Sequence, residues 1–293
     1  MPPDGWSGWP HGKRFAVVLT HDVEGSVGLQ QCRLLAELEI AHGMRSSFNF
    51  VPEGEYTVDE PLLDWLRERD FEIGVHGLRH DGRLYWSRKG FSAQASRINQ
   101  YLKKWEAVGF RSPFMQHNLE WIHDLDIEYD SSTFDTDPFE PQPDGVGTVF
   151  PFWVPKTKDE LGPRCGYVEL PYTLVQDSTL FLFLSEQNND IWKQKLEWIA
   201  SNGGMALLIT HPDYMDFGNG SSVDQYRINL YTDFLKHVQT KYSGEYWLAL
   251  PRQVSAFVRV EQTHGRVLPF ERLGACRVNH AKSDDIENYV VKK

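Results

Sequence analysis

The chain has 293 residues, 41% of them hydrophobic and 13% aromatic, which is enough apolar material for one large α/β domain or two small ones and excludes a disordered chain. A formal charge of −11 argues against recognition of a phosphate backbone, so no nucleic-acid partner is expected and a neutral or cationic substrate fits better. Three widely spaced cysteines, Cys32, Cys165 and Cys276, indicate neither a disulfide framework nor a Cys-rich zinc site. No run of eighteen apolar residues predicts a membrane span, and the N-terminal MPPDGWSGWPHGKRF lacks the apolar core of a signal peptide, so a soluble cytoplasmic protein is expected.

In chain order, Phe15 to Leu19 is a continuous apolar run, as expected of a strand buried on both faces. Leu29 to His42 follows with a helical stripe through Leu34, Leu35, Leu38 and Ala41, stopped by Gly43. Ser46 to Val51 reads as a strand, Pro61 to Arg69 as a helix, and Phe71 to Val75 as a third strand running into His76-Gly77-Leu78-Arg79-His80. Ser92 to Val108 carries Ile98, Leu102 and Trp105 at helical spacing and leads into the short segment Gly109-Phe110-Arg111. Ile191 to Ser201 is predicted helical behind Asp190 as N-cap, Gly203 and Gly204 break it, and Met205 to Thr210 is a buried strand ending at His211. Tyr226, Leu230, Phe234 and Val238 stripe another helix, and Tyr246 to Leu250 is the last predicted strand.

Strands alternating with helices suggest a parallel barrel or a doubly wound sheet, and a distorted barrel is the favoured expectation. Residues 1–258 are assigned to it and 259–293 to a C-terminal extension without an assigned role. The Pro-rich, aromatic stretch from Phe134 to Val168 breaks the alternation and is expected to be a lid or a substrate wall. Trp65, Trp105, Trp192 and Trp198 fall on helical stripes and are expected in the core.

The chemistry concentrates at strand ends. Asp22 and Glu24 close the first strand, two residues apart and so on one face if the strand persists; His76 and His80 follow the third, four apart, which suits joint ligation from one tight loop. Each has a plainer reading: a turn or N-cap acid for either carboxylate, a pair of loop histidines for HxxxH. Together, two carboxylates and two imidazoles on strand ends point to a metal-assisted hydrolase, with one carboxylate neutralising the cation and the other accepting a proton from water. Phe114, Phe152, Trp153 and Tyr172 could stack on a sugar face or pack beneath the long loop, and His117 and His123 are accounted for by a helix surface.

The order of these motifs resembles the polysaccharide deacetylase family, also called NodB-homology or carbohydrate esterase family 4. Thr20 to Glu24, THDVE, is similar to its first motif TFDDG; His76 to His80 to its H-S/T-x-x-H; Arg111-Ser112-Pro113-Phe114 to R-x-P-Y/F. Tyr129 to Ser132, Glu169 to Pro171 and the strand Ala206 to His211 match later stretches. The resemblance implies a distorted, seven-stranded (β/α) barrel hydrolysing the N-acetyl group of a sugar with a divalent ion, zinc first and cobalt, nickel or iron as alternatives, and no organic cofactor. Carried over by residue, it implies His76 and His80 as metal ligands, His211 as the acid for the leaving amine, the Phe114 backbone N–H in the oxyanion hole, and Arg111 orienting the base carboxylate. Val23 stands where the family's metal aspartate aligns without a gap; Asp22-x-Glu24 is similar to D-x-D branches, which makes Asp22 the base and Glu24 the third ligand, with Asp22 as ligand the alternative. Gly77 departs from the family's Ser/Thr. The expected partner is an N-acetylated sugar or sugar-nucleotide intermediate, and a homo-oligomer is compatible with the chain. The alternatives are an amidase or imidase on a small nitrogen compound, and an inactive barrel that only binds carbohydrate.

Overall fold

The computed structural model describes residues 2–3, 5–156, 166–218 and 223–263. Its elements are β1 (Phe15–Val23), α1 (Ser26–Ala41), β2 (Ser47–Phe50), α2 (Glu60–Arg67), β3 (Glu72–His76), α3 (Arg88–Lys104), β4 (Gly109–Arg111), β5 (Tyr129–Asp130), β6 (Phe152–Pro155) and β7 (Gly166–Glu169). They continue with α4 (Asp190–Asn202), β8 (Met205–Thr210), β9 (Met215–Asp216), β10 (Tyr226–Arg227), α5 (Asn229–Lys241), β11 (Tyr246–Leu248) and α6 (Pro251–Thr263).

Parallel pairing runs β1–β2–β3–β4–β5–β7, and β8 pairs with the other side of β1. The gap between β7 and β8 is closed just beyond β7, where Thr173 N and Leu174 N both donate to Leu207 O, at 3.1 and 3.2 Å. The result is a distorted barrel of seven parallel staves, curled most openly where a single bridge replaces a ladder. Strand β6 lies antiparallel on β7, and β11 extends along the first half of β1.

All nine residues of β1 are buried, because its two faces meet different things. His21 faces α1, where Glu39 and Thr210 hold its ring, whereas Thr20 and Asp22 face the barrel interior and reach Arg111 on β4. Helix α1 starts without a side-chain cap of its own; Asp213 supplies one from beyond β8, its Oδ1 accepting from Gly25 N and Gly28 N and its Oδ2 from Glu24 N. Asp59 and Ser87 cap α2 and α3 in the ordinary way. Gly203, at φ 71°, ends α4, as its sequence position predicts.

Several local expectations are corrected. Asn189, not Asp190, occupies the N-cap position of α4, without a side-chain capping bond, its Nδ2 donating instead to Leu230 O at 2.7 Å. Tyr226 belongs to β10, and the following helix begins at Asn229. Trp105 and Trp192 are core residues and Trp65 is half-buried, but Trp198 is 50% exposed, with the Lys195 ammonium 5.1 Å from its ring centre. Helix α6 continues to Thr263, and the rest of the C-terminal extension lies outside the described residues. Among the described residues no helix is long and apolar enough to cross a membrane.

Candidate active site

At the carboxyl ends of the staves, Asp22, Glu24, His76, His80, Phe114 and His211 line one cleft of about 220 Å³. Five of the seven residues singled out from the sequence thus meet Phe114 in one place, and the seventh, Arg111, lies fully buried directly beneath them. The i, i+2 relation of Asp22 and Glu24 carries past the end of β1, so both carboxylates serve the cleft while differing in what holds them.

Glu24 belongs to the histidines. Its Oε1 is 2.9 Å from His80 Nε2, 3.9 Å from His76 Nε2 and 3.7 Å from His211 Nε2, and Tyr214 O–H donates to its Oε2 at 2.9 Å. Burial pushes the Glu24 carboxyl up, but His211 and then His76 and His80 outweigh it and hold it well below the usual carboxylate range. One donor atom each from Glu24, His76 and His80 falls within 4.8 Å of the others.

The donor set fits a divalent cation on its own chemistry. His76 Nδ1 lies 3.2 Å from Arg111 O, which can only accept, so Nδ1 is committed as a donor and Nε2 is the ring nitrogen left for a cation. The Nε2 atoms of His76 and His80 are buried and make no hydrogen bond; the 2.9 Å approach of Glu24 to His80 is not aligned as one. Two uncommitted imidazole nitrogens beside a carboxylate oxygen are the ligand types and number that zinc takes in open sites.

Asp22 belongs to the barrel interior. Its Oδ1 accepts from Asn49 Nδ2 at 2.8 Å and Arg111 Nη1 at 3.1 Å. Burial raises its carboxyl, yet Arg111, helped by His76, His211 and the Asn49 bond, brings it below the ordinary value. Arg111 is itself over-determined: Nε and Nη2 donate to Ser131 O and Oγ at 2.9 and 2.8 Å, and Nη1 also reaches Thr20 Oγ1 at 2.8 Å.

His211 is fixed by Asp177. Asp177 Oδ1 lies 2.6 Å from His211 Nδ1, its Oδ2 accepts from His211 N at 2.8 Å, and Tyr226 O–H adds a third bond at 2.9 Å. Burial disfavours the charged ring, but Asp177 and then Glu24 lift it to about 10, leaving Nε2 as a protonated donor facing the cleft. Asp213, two residues along the chain, is not the partner of His211, because that carboxylate is spent on the start of α1.

The loop geometry explains the departure at Gly77. Its φ is +64°, and a Cβ there would meet Pro113 Cγ and Cδ at 2.5 and 2.6 Å, so neither Ser nor Thr fits. Pro113 begins a turn in which Phe114 and Met115 both take left-handed angles, φ 57° and 51°. Of the four aromatics considered for stacking, Phe114 alone lines the cleft, 43% exposed and against His80; Phe152, Trp153 and Tyr172 are buried, the first two on β6, which packs on the far side of β7. His117 lies in irregular chain 3.4 Å from Asp144, and His123 sits in the short 3-10 helix Trp121–Asp124, packed on Tyr167.

Sequence reasoning missed Asn49, Asp177, Tyr214 and Glu140, whose roles depend on partners remote in the chain. The long stretch after Phe134 does form part of the wall, through Glu140 and Pro141. Its later part, residues 157–165, lies outside the described residues.

No family model and no curated protein sequence matches the chain. Among solved structures it is similar to a chain from Mycobacterium smegmatis described as a polysaccharide deacetylase, with a TM-score of 0.67 and 18% identity over 92% of this chain and 96% of that one. A polysaccharide deacetylase structure from Pseudomonas aeruginosa PAO1 gives 0.65 and 15% over 90% and 95%, and PuuE allantoinase gives 0.64 and 14% over the same shares. The chain therefore has the distorted barrel fold of the polysaccharide deacetylases, the NodB-homology fold that its motif order resembles.

Proposed function

We propose that the protein is a metal-dependent hydrolase that removes the N-acetyl group from a sugar or glycan intermediate. One observation carries the reading: two buried imidazole nitrogens without hydrogen bonds converge with Glu24, beside a carboxylate held ionised and an imidazolium held protonated. The fold shared with structures described as polysaccharide deacetylases supports it.

Glu24, His76 and His80 would hold the cation, zinc first by ligand type, and when bound it supplies Lewis acidity, acidifying water and polarising an acyl oxygen. The chain's own residues divide the remaining work. Asp22, kept ionised by Arg111 and Asn49, accepts the proton of the attacking water. The Phe114 backbone N–H, presented by a left-handed turn, steadies the oxygen that becomes anionic. His211, held in one tautomer by Asp177, gives its Nε2 proton to the departing amine. The buried free thiol of Cys32 accords with a reducing compartment, and the cytoplasm is the proposed location.

Acetate release from N-acetyl sugars by zinc-reconstituted protein tests the reading. His76→Ala should lose both metal and turnover, whereas Asp22→Asn should keep the metal and lose turnover; retained turnover in Asp22→Asn contradicts the base assignment. A second reading, an amidase on a small nitrogen compound, draws on the likeness to PuuE allantoinase. Turnover of a ureide or cyclic imide, with no acetate from any N-acetyl sugar, would establish it instead. Failure to take up metal together with absence of any turnover would leave only a carbohydrate-binding barrel.

A further inference from the structure

Glu140 takes no part in the chemistry above, yet its carboxylate lines the same cleft as Asp22, His76 and His211. Tyr172 O–H and Gln176 Nε2 both donate to its Oε1, the latter at 2.5 Å, and Tyr172 also reaches Asp137 Oδ2 at 2.9 Å. Oε2 makes no hydrogen bond among the described residues. One hydroxyl hydrogen cannot serve Asp137 and Glu140 at once, so the pair is short of donors. Burial, with Asp137 adding to it, raises the Glu140 carboxyl despite its two bonds, as expected of a charge that would gain from a further donor.

Resting on the proposed deacetylase reading, we propose that Glu140 is a substrate-specificity residue: its Oε2 receives an O–H or N–H donor of the sugar unit carrying or adjoining the acetamide, which selects neutral or cationic glycosyl substrates and rejects nucleotide-linked ones. The surroundings agree in sign. The adjoining cavity, which shares Glu24, His80 and Tyr214 with the cleft, is walled by Glu55, Asp81 and Asp213 besides Glu53, and its one arginine, Arg79, pairs at 3.2 Å with Glu53, which Arg97 holds from the other side. A diphosphate leaving the cleft on that side finds carboxylates and no uncommitted guanidinium. An amino sugar or a hydroxyl-rich glycan finds acceptors.

The test uses Glu140→Gln, with Glu140→Asp as a second variant should the first melt early, in the zinc-reconstituted full chain. Isothermal titration with a glucosamine disaccharide, which cannot be deacetylated, reads Glu140 without turnover: binding to the native chain, weakened about tenfold or more by the substitution, is expected from loss of a charge-assisted hydrogen bond. In steady-state assays the KM for an N-acetylglucosamine disaccharide should rise by a similar factor with kcat nearly unchanged, and UDP-N-acetylglucosamine should be the poorer substrate of the native chain. Equal disaccharide binding by native and substituted chains, no binding by the native chain at millimolar concentration, or a native preference for the nucleotide sugar overturns the proposal. If no N-acetyl sugar is turned over while the difference in disaccharide binding persists, the deacetylase reading fails and the recognition role of Glu140 stands.

Discussion

Arg111→Met should be among the most damaging single substitutions near the cleft, and the reason is Asp22 rather than the lost arginine. The two side chains are 1% and 3% exposed and 3.1 Å apart. Removing the guanidinium leaves a buried carboxylate with Asn49 as its one remaining side-chain hydrogen-bond donor among the described residues, and breaking a buried pair from one side costs about 3–5 kcal/mol. Asp22→Asn should cost less, about 1–3 kcal/mol, since Arg111 keeps Ser131 and Thr20. In the double variant no buried charge is stranded, so its loss should fall short of the sum by about 2 kcal/mol, well outside the scatter for independent sites. Urea unfolding of the four proteins at pH 7, followed by far-ultraviolet dichroism, measures this coupling. The sign with pH is also fixed. The folded Asp22 carboxyl lies below its unfolded value, so its contribution is present above about pH 3.9 and disappears as pH falls through the folded value; the gap between native and Arg111→Met should narrow on acidification. Losses that add to within about 0.5 kcal/mol at pH 7, or a gap that widens in acid, would refute the assignment of Arg111 as the group that keeps Asp22 charged.

Asp177→Asn removes the largest contribution raising His211, so burial then pulls the ring down; the basic limb of a kcat/KM profile should move to lower pH, and an unmoved limb would separate Asp177 from the acid. The same linkage appears in stability, because a raised imidazole stabilises fully below about pH 6.5 and loses that contribution as pH rises through about 10. Glu72, buried between Tyr129 O–H and Arg252 N–H, is raised to about 7, so the fold favours its protonated form and loses that advantage between about pH 4.5 and 7. Glu72→Gln should therefore gain on the native chain by up to about 3 kcal/mol from pH 4 to pH 8 in urea unfolding, and a constant difference would contradict this. Gly77→Ala combines a left-handed residue with a Cβ 2.5 Å from Pro113 and should cost about 2 kcal/mol or more while displacing His76 and His80; a variant that melts with the native chain and binds zinc equally would remove the steric account of the glycine.

The parts of this site legible in the sequence share a physical cause. A buried parallel strand reads as an unbroken apolar run, and the polar residues that close the run mark its carboxyl end, which picks out Asp22, His76 and His211 as strand-end residues before any fold is known. Strands β5 and β7 carry no such signal, since two and four residues are too few for periodicity, and β5 is recognisable only through its neighbours' hydrogen bonds. Asp177, Asn49 and Tyr214 are invisible for a different reason: each acts on a residue brought near by strand register or by a loop returning over the barrel, and no local spacing encodes that. Side-chain parity then decides among the residues of the first motif. His21 sits between Thr20 and Asp22, close in sequence to the candidate cation site, and is an imidazole like His76. One residue of parity turns it to the other face of β1, where Thr210 and Glu39 occupy both ring nitrogens at 2.7 and 2.9 Å and withdraw it from ligation. The same parity carries Glu24 to the side of Asp22, so that a chain with valine at the middle position still brings two carboxylates to the cleft, one resting on Arg111 and one on the histidines.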